Sequence, residues 1–159
     1  MPPALLFDLA GIDLSGKPMF DREAVCKVNP QQFEMQQLDG ILWYDKEKQC
    51  VLGYKDVTTH EFWVRGHIPG RPLMPGVIQI EAAAQLLSFF VTQVCEEKGF
   101  IGFGGIERAK FRLPIEPGCR LYLLGHLTEV RPGRKYVCDV QGIVSDNLVF
   151  EATIYGMRV

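Results

Sequence analysis

The sequence predicts an α+β domain in which one long, enclosed helix is wrapped by an antiparallel sheet of about six strands. Only one segment, from about Met74 to Lys98, reads as a long helix, and its apolar residues cover most of the circumference, as in a helix surrounded by protein. Strand patterns separated by turn signals fill the chain after Gly99, and a further hairpin precedes the helix. With 159 residues, 47% of them hydrophobic, the chain has the length and the apolar content of a single domain spanning 1–159.

The first 28 residues read as an N-terminal extension or a short helix. Asp21 is placed to cap a helix beginning at Arg22, and Pro30 stops the chain beyond it. Ile41–Tyr44 and Cys50–Val57 read as strands joined by the polar turn Asp45–Gln49. Pro75 is tolerated in the first turn of the long helix, and Gly99 is placed as its C-terminal stop. Within the helix Glu81, Gln85, Ser88 and Thr92 recur along one narrow polar stripe. Ile106–Leu113, Arg120–Val130, Lys135–Val144 and Leu148–Met157 then read as a meander, divided by Pro114–Gly118, Pro132-Gly133 and Ser145-Asp146-Asn147.

Composition excludes several classes of function. A formal charge of −2 supplies no basic field for nucleic acid. The five cysteines are scattered, with no CxxC pair and no histidine at ligand spacing, which reads as reduced thiols and no metal site. The N-terminal run has no basic start and is interrupted by Asp8 and Asp13, so neither a signal peptide nor a membrane span fits, and a cytoplasmic protein is expected.

The chemistry concentrates in GHIPGRPLMPGVIQIEAAAQ, Gly66 to Gln85, where His67 sits in a Pro/Gly-restricted loop and Glu81 follows fourteen positions later on the helix. The plainer reading of His67 is a loop histidine bonded to a carbonyl, and of Glu81 a carboxylate reaching solvent or Arg71. Together they form a pair suited to proton transfer near neutral pH, with Glu81 expected to be buried. Gly76 and Val77 fall in the first helical turn, where free amides and the helix dipole would hold developing negative charge. No serine or cysteine stands in a nucleophile elbow.

The same stretch resembles the signature of FabZ-type 3-hydroxyacyl-[acyl-carrier-protein] dehydratases, in which a His-Phe-Pro-Gly loop leads into Met-Pro-Gly-Val and Glu-Ala-x-Ala-Gln. A second block, FGGIERAKFRLPIEPG from Phe103 to Gly118, is similar to the family's aromatic strand and Pro-Gly turn. The resemblance runs from about Asn29 to the C-terminus and implies the hotdog fold, a long helix wrapped by an antiparallel sheet. It implies a homodimer, or a trimer of dimers, with each active site at the interface between protomers. It further implies that His67 removes the C2 proton of a 3-hydroxyacyl thioester, that Glu81 of the neighbouring protomer assists departure of the C3 hydroxyl, and that the Gly76 amide polarises the thioester carbonyl. No cofactor is implied, and the pathway would be fatty acid biosynthesis.

Several positions depart from the family pattern. Ile68 replaces the loop phenylalanine, Gln31, Gln32, Glu34 and Gly40 alter the N-terminal block, and Cys119 stands where an Asp is usual. Glu rather than Asp at 81 resembles the branch that dehydrates without isomerising. Phe89, Phe90, Phe100 and Phe103 are candidates for an acyl tunnel, although each taken singly is more simply core; Val77 and Gln85 join Gly76 as candidate substrate-binding residues. Arg108, Lys110 and Arg112 alternate with apolar residues and would present a basic face to an acidic acyl carrier protein, or to solvent. Two other functions compete: a hotdog thioesterase in which a helix carboxylate activates water, and a non-catalytic module binding an acyl chain or carrier protein.

Overall fold

The computed structural model describes residues 3–159; Met1 and Pro2, the start of the predicted extension, lie outside the described residues. Helix α1 (Arg22–Val28) begins where expected, with the Asp21 carboxylate accepting from the Ala24 amide at 2.9 Å. The hairpin is strand β1 (Gly40–Asp45) followed by β2 (Cys50–Val57). After a long loop comes α2 (Gly76–Phe89), and then strands β3 (Ile101–Phe111), β4 (Cys119–Arg131), β5 (Lys135–Val144) and β6 (Asn147–Arg158). All pairings are antiparallel, in the order β1-β2-β4-β5-β6-β3.

That order corrects the simple meander. β3 pairs with β6 at the far edge, not with β4, its neighbour in sequence. The Pro114–Gly118 segment is therefore a crossover, tied down by bonds from the Met74 amide to the Ile115 carbonyl and from the Gly118 amide to the Val57 carbonyl. β3 also starts five residues before the predicted Ile106. Its glycines let the Tyr155 side chain lie close against the strand: a Cβ on Gly104 or Gly105 would lie 2.6 or 2.5 Å from the Tyr155 ring or hydroxyl.

Helix α2 lies in the curve of the sheet. Leu86 is fully buried and seats against the sheet where Gly53 and Gly125 leave room, since a Cβ on Gly53 would come within 2.8 Å of it. Phe89 meets Phe20 edge to face at 5.0 Å, and Phe90 meets Tyr44 at 6.4 Å. The helix ends earlier than the predicted Lys98, widening into one π-helical turn, Phe90–Val94. Glu97 accounts for this: its carboxylate bonds the Gly133 amide and the Tyr136 hydroxyl in the β4–β5 hairpin, drawing the chain off the helix axis. Gly76–Val94 has the length and composition to cross a membrane, but its most apolar window is 61% buried inside this protein. It is the core helix that the sheet encloses.

The N-terminal segment covers the opposite face of the sheet. Leu6, Phe7, Leu9, Ile12 and Leu14 pack on a second apolar cluster made by Leu42, Leu52, Tyr54, Leu124, Ile143 and Leu148. The buried Gln141 side chain holds this strap at both ends of its carboxamide, accepting from the Leu6 amide and donating to the Ala4 carbonyl. Both faces of the β1-β2-β4 half of the sheet are thereby shielded from water.

Candidate active site

The loop bearing His67 is built by backbone bonds. The Trp63 carbonyl accepts from the amides of Gly66 and His67, and the His67 carbonyl accepts from Leu73 at 2.8 Å. The imidazole Nδ1 lies 2.7 Å from the Leu73 carbonyl oxygen. A carbonyl only accepts, so Nδ1 carries a proton, and in the neutral ring Nε2 is then the nitrogen with the free lone pair. The ring is exposed on a cavity of about 340 Å³ shared with Met74, Gly76, Gln79, Phe111 and Arg112. His67 therefore has the tautomer and the access of a base.

Helix α2 delivers its first turn to the same cavity. Ile78 and Gln79 both donate to the Pro75 carbonyl, and no side chain caps the helix, so the Gly76 and Val77 amides have no acceptor among the described residues. Gly76 lines the cavity beside His67; Val77 does not line it and is 76% exposed. Glycine at 76 lets Phe111 pack close over the helix start, since a Cβ there would lie 2.9 Å from its ring. The amide is thus left open to an anionic group, with the positive end of the helix behind it.

Glu81 is half-buried rather than buried, and it faces a different cavity, of about 170 Å³, with Gln31, Ala84, Ser88, Phe100 and Phe103. Gln85 orients it, donating from Nε2 to Glu81 Oε1 at 2.8 Å. The same carboxamide bonds the Met35 carbonyl and accepts from the amides of Gln37 and Leu38, so it fastens the chain before β1 to the helix. Within one chain His67 and Glu81 do not meet.

The remaining predicted residues divide. Phe100 and Phe103 line the Glu81 cavity, whereas Phe89 and Phe90 are 0% and 1% exposed and belong to the core beneath it. Gln79 is an addition that the sequence motifs do not single out: a carboxamide only 4% exposed beside His67, whose Nε2 donates to Met74 while Oε1 is unpartnered. A glutamine inside an otherwise apolar helical run is its signal in the sequence. Phe111, packed over Gly76, carries none. A further cavity, about 820 Å³ between the strap and the β5–β6 turn, contains neither His67 nor Glu81.

The basic strand is less free than its spacing suggests. Arg108 and Lys110 lie on β3 and Arg112 just beyond its end, but Arg112 bonds Glu151 at 2.8 Å and Arg108 reaches it at 3.2 Å. Lys110 alone has no carboxylate partner among the described residues. The Arg112 hydrogen bond, opposed by burial and aided by Arg108, holds the Glu151 carboxyl below its usual 4.5. Because the folded value is the lower one, this pairing contributes stability above that pH and loses it on acidification. Glu151→Gln is expected to flatten the fall in melting temperature between about pH 5 and pH 3. An unchanged acid limb in thermal melts of the variant would disprove it. Among the described residues no group of three His, Cys, Asp or Glu is placed to hold a metal.

The profile of the FabA-like domain family matches residues 29–153. The chain is 34% identical over 148 residues to the 3-hydroxyacyl-[acyl-carrier-protein] dehydratase FabZ of Erythrobacter litoralis, covering 89% of this chain and 97% of that one. It is 39% identical over 135 residues to the protein of the same name from Clostridium botulinum strain Loch Maree, covering 84% and 92%. Among solved structures, the dehydratase heterocomplex ApeI:P from Xenorhabdus doucetiae superposes with a TM-score of 0.70 at 12% identity, covering 85% of this chain and 90% of that one. A mutant of the thioesterase PA1618 from Pseudomonas aeruginosa superposes at 0.61 and 12% identity, covering 90% and 96%. At such identities these structures establish the fold alone, and that fold is the hotdog. With the sequence relatives added, the chain belongs to the FabA-like family, among dehydratases of the FabZ type.

Proposed function

We propose that this protein is a single hotdog domain of the cytoplasm that dehydrates 3-hydroxyacyl thioesters, carried by an acyl carrier protein, to trans-2-enoyl thioesters in fatty acid biosynthesis. The observation that carries this reading is the free Nε2 of His67 beside the unpaired Gly76 amide. The thioester oxygen would accept from that amide, which stabilises the enolate as Nε2 takes the C2 proton. The C2–H pair becomes the C2=C3 bond, the C3–O bond breaks, and Glu81 in its acid form supplies the proton with which the hydroxyl leaves as water. The two protons exchange through solvent to reset the site.

A second protomer would bring Glu81 to His67. β3 is an edge strand with one side unpaired, and it exposes Phe103, Ile106 and Phe111 at 51%, 47% and 48%. A long apolar edge pairs readily with another strand, here the β3 of a second copy. Phe100 and Phe103 would then wall the acyl chain, and Lys110, with the rim residue Arg112, would face the acidic carrier.

The test follows formation of the conjugated enoyl thioester from a 3-hydroxyacyl carrier-protein substrate, together with free thiol. His67→Ala and Glu81→Ala, each inactive alone, are expected to recover activity when unfolded and refolded together, approaching about a quarter of wild type as mixed dimers restore one intact site in two. Thiol release without enoyl product would replace the lyase with a thioesterase. Absence of recovery in verified mixed dimers would place both residues in one chain's site.

A further inference from the structure

The least exposed charged residue among the described residues is Lys55, at 2%, and the chemistry above does not use it. It pairs in register with Leu121 and so faces the core side of the sheet, where Nζ meets Glu61 Oε1 at 3.0 Å; the two side chains are 3% and 11% exposed. The other Glu61 oxygen accepts from the backbone amide of Thr58 at 2.9 Å and from its hydroxyl at 3.1 Å. Enclosing such a pair costs desolvation of both charges, and an apolar pair of similar volume is often equally stable. A role beyond stability is therefore open to it.

Its position supplies one. Residues 58–75 run from β2 to α2 without strand or helix, and a structureless stretch of that length is uncommon in a compact domain. The ion pair lies at the root of this loop, and a short series of contacts leads from it to the imidazole. Glu61, pinned by its side chain, accepts through its carbonyl from the Val64 amide. Between them Trp63 is buried at 4% exposure, and its carbonyl accepts the His67 amide at 2.8 Å. The far side of the loop is held separately, by Leu73 on His67 and by Met74 on Ile115.

We infer that Lys55 and Glu61 are positioning residues for His67: their buried ion pair fixes the start of the catalytic loop, so that Nδ1 stays on the Leu73 carbonyl and Nε2 points into the cavity. The inference rests on His67 acting as the base, but part of its test does not. Long-range proton–nitrogen spectra of the neutral imidazole, with the His67 signals identified by their loss in His67→Ala, are expected to show the Nδ1–H tautomer in the wild type. In folded Lys55→Met the tautomers mix, and kcat falls by about ten- to a hundredfold while KM stays within about twofold, as for misplacement of a reacting group.

Glu61→Gln retains an acceptor for Thr58 and removes only the charge, and it is expected to shift both readouts in the same direction. It decides the matter alone if Lys55→Met does not fold. Arg120→Met, which breaks the more exposed pair with Asp56 on the neighbouring strand, should leave both readouts unchanged. A folded Lys55→Met or Glu61→Gln that keeps the Nδ1–H tautomer and the wild-type kcat would overturn the inference, as would a loss confined to KM. If the wild type forms no enoyl product, the functional reading fails, while the tautomer spectra still decide the positioning role.

Discussion

Replacing His67 with alanine is expected to lower kcat by about a thousandfold with little change in KM, the scale of a lost general base. The geometry explains the selectivity. The ring is exposed and bonded only through Nδ1 to Leu73, so its removal leaves the loop's backbone bonds from Trp63, Leu73 and Ile115 in place. The Gly76 amide remains to bind the thioester, which holds KM near its original value while proton transfer is lost. Far-UV circular dichroism and thermal melting of the variant should match the wild type, and the measurement that decides is the rate of enoyl thioester formation. A residual kcat within tenfold of wild type would remove His67 from the role of base.

Phe89→Ala is expected to cost about 3–5 kcal/mol of stability, the range for truncating a buried phenylalanine. Phe89 is 0% exposed and stands edge-on to Phe20, the residue through which the N-terminal segment bridges to β1 at Ile41. Its loss would open a cavity between the helix and that segment, and neither side can collapse readily, because Leu86 and Phe90 hold the helix against the sheet on either side. For a domain of this size the melting temperature should fall by about 10 °C or more. Preference among acyl chain lengths should not change, because Phe89 lines neither the His67 nor the Glu81 cavity. A shifted chain-length profile with an unaltered melt would return Phe89 to the tunnel wall.

Much of this architecture is legible in the order of residues alone. The enclosed helix is evident because Val77 to Val94 is apolar around nearly the whole circumference, a pattern set by neighbours three and four positions apart. Asp21 caps its helix as local chemistry requires, and β2 and β5 have the predicted bounds. The motif from His67 to Gln85 is equally visible, together with the Gln85 bond to Glu81, which needs only one helical turn. The β3 crossover is hidden, because a Pro-Gly turn states that the chain bends and not which strand it will join. The strap is hidden too, since Leu6, Phe7, Leu9, Ile12 and Leu14 follow no single period and acquire meaning only from the outer sheet face they cover.

Features written in local spacing are therefore available from the chain alone: the α+β class, the enclosed helix, the candidate pair His67 and Glu81, and the open amide of Gly76. Tertiary structure decided which surfaces met. It placed β3 at an exposed apolar edge, moved Phe89 into the core, drew Arg108 and Arg112 onto Glu151, and enclosed Lys55 with Glu61 beneath the loop of His67. It also separated His67 from Glu81 into two cavities, although they stand fourteen residues apart. The physical reason is the same in each case. Backbone propensity and periodicity act over a few residues, whereas burial, desolvation and ion pairing depend on partners that only the folded chain brings together.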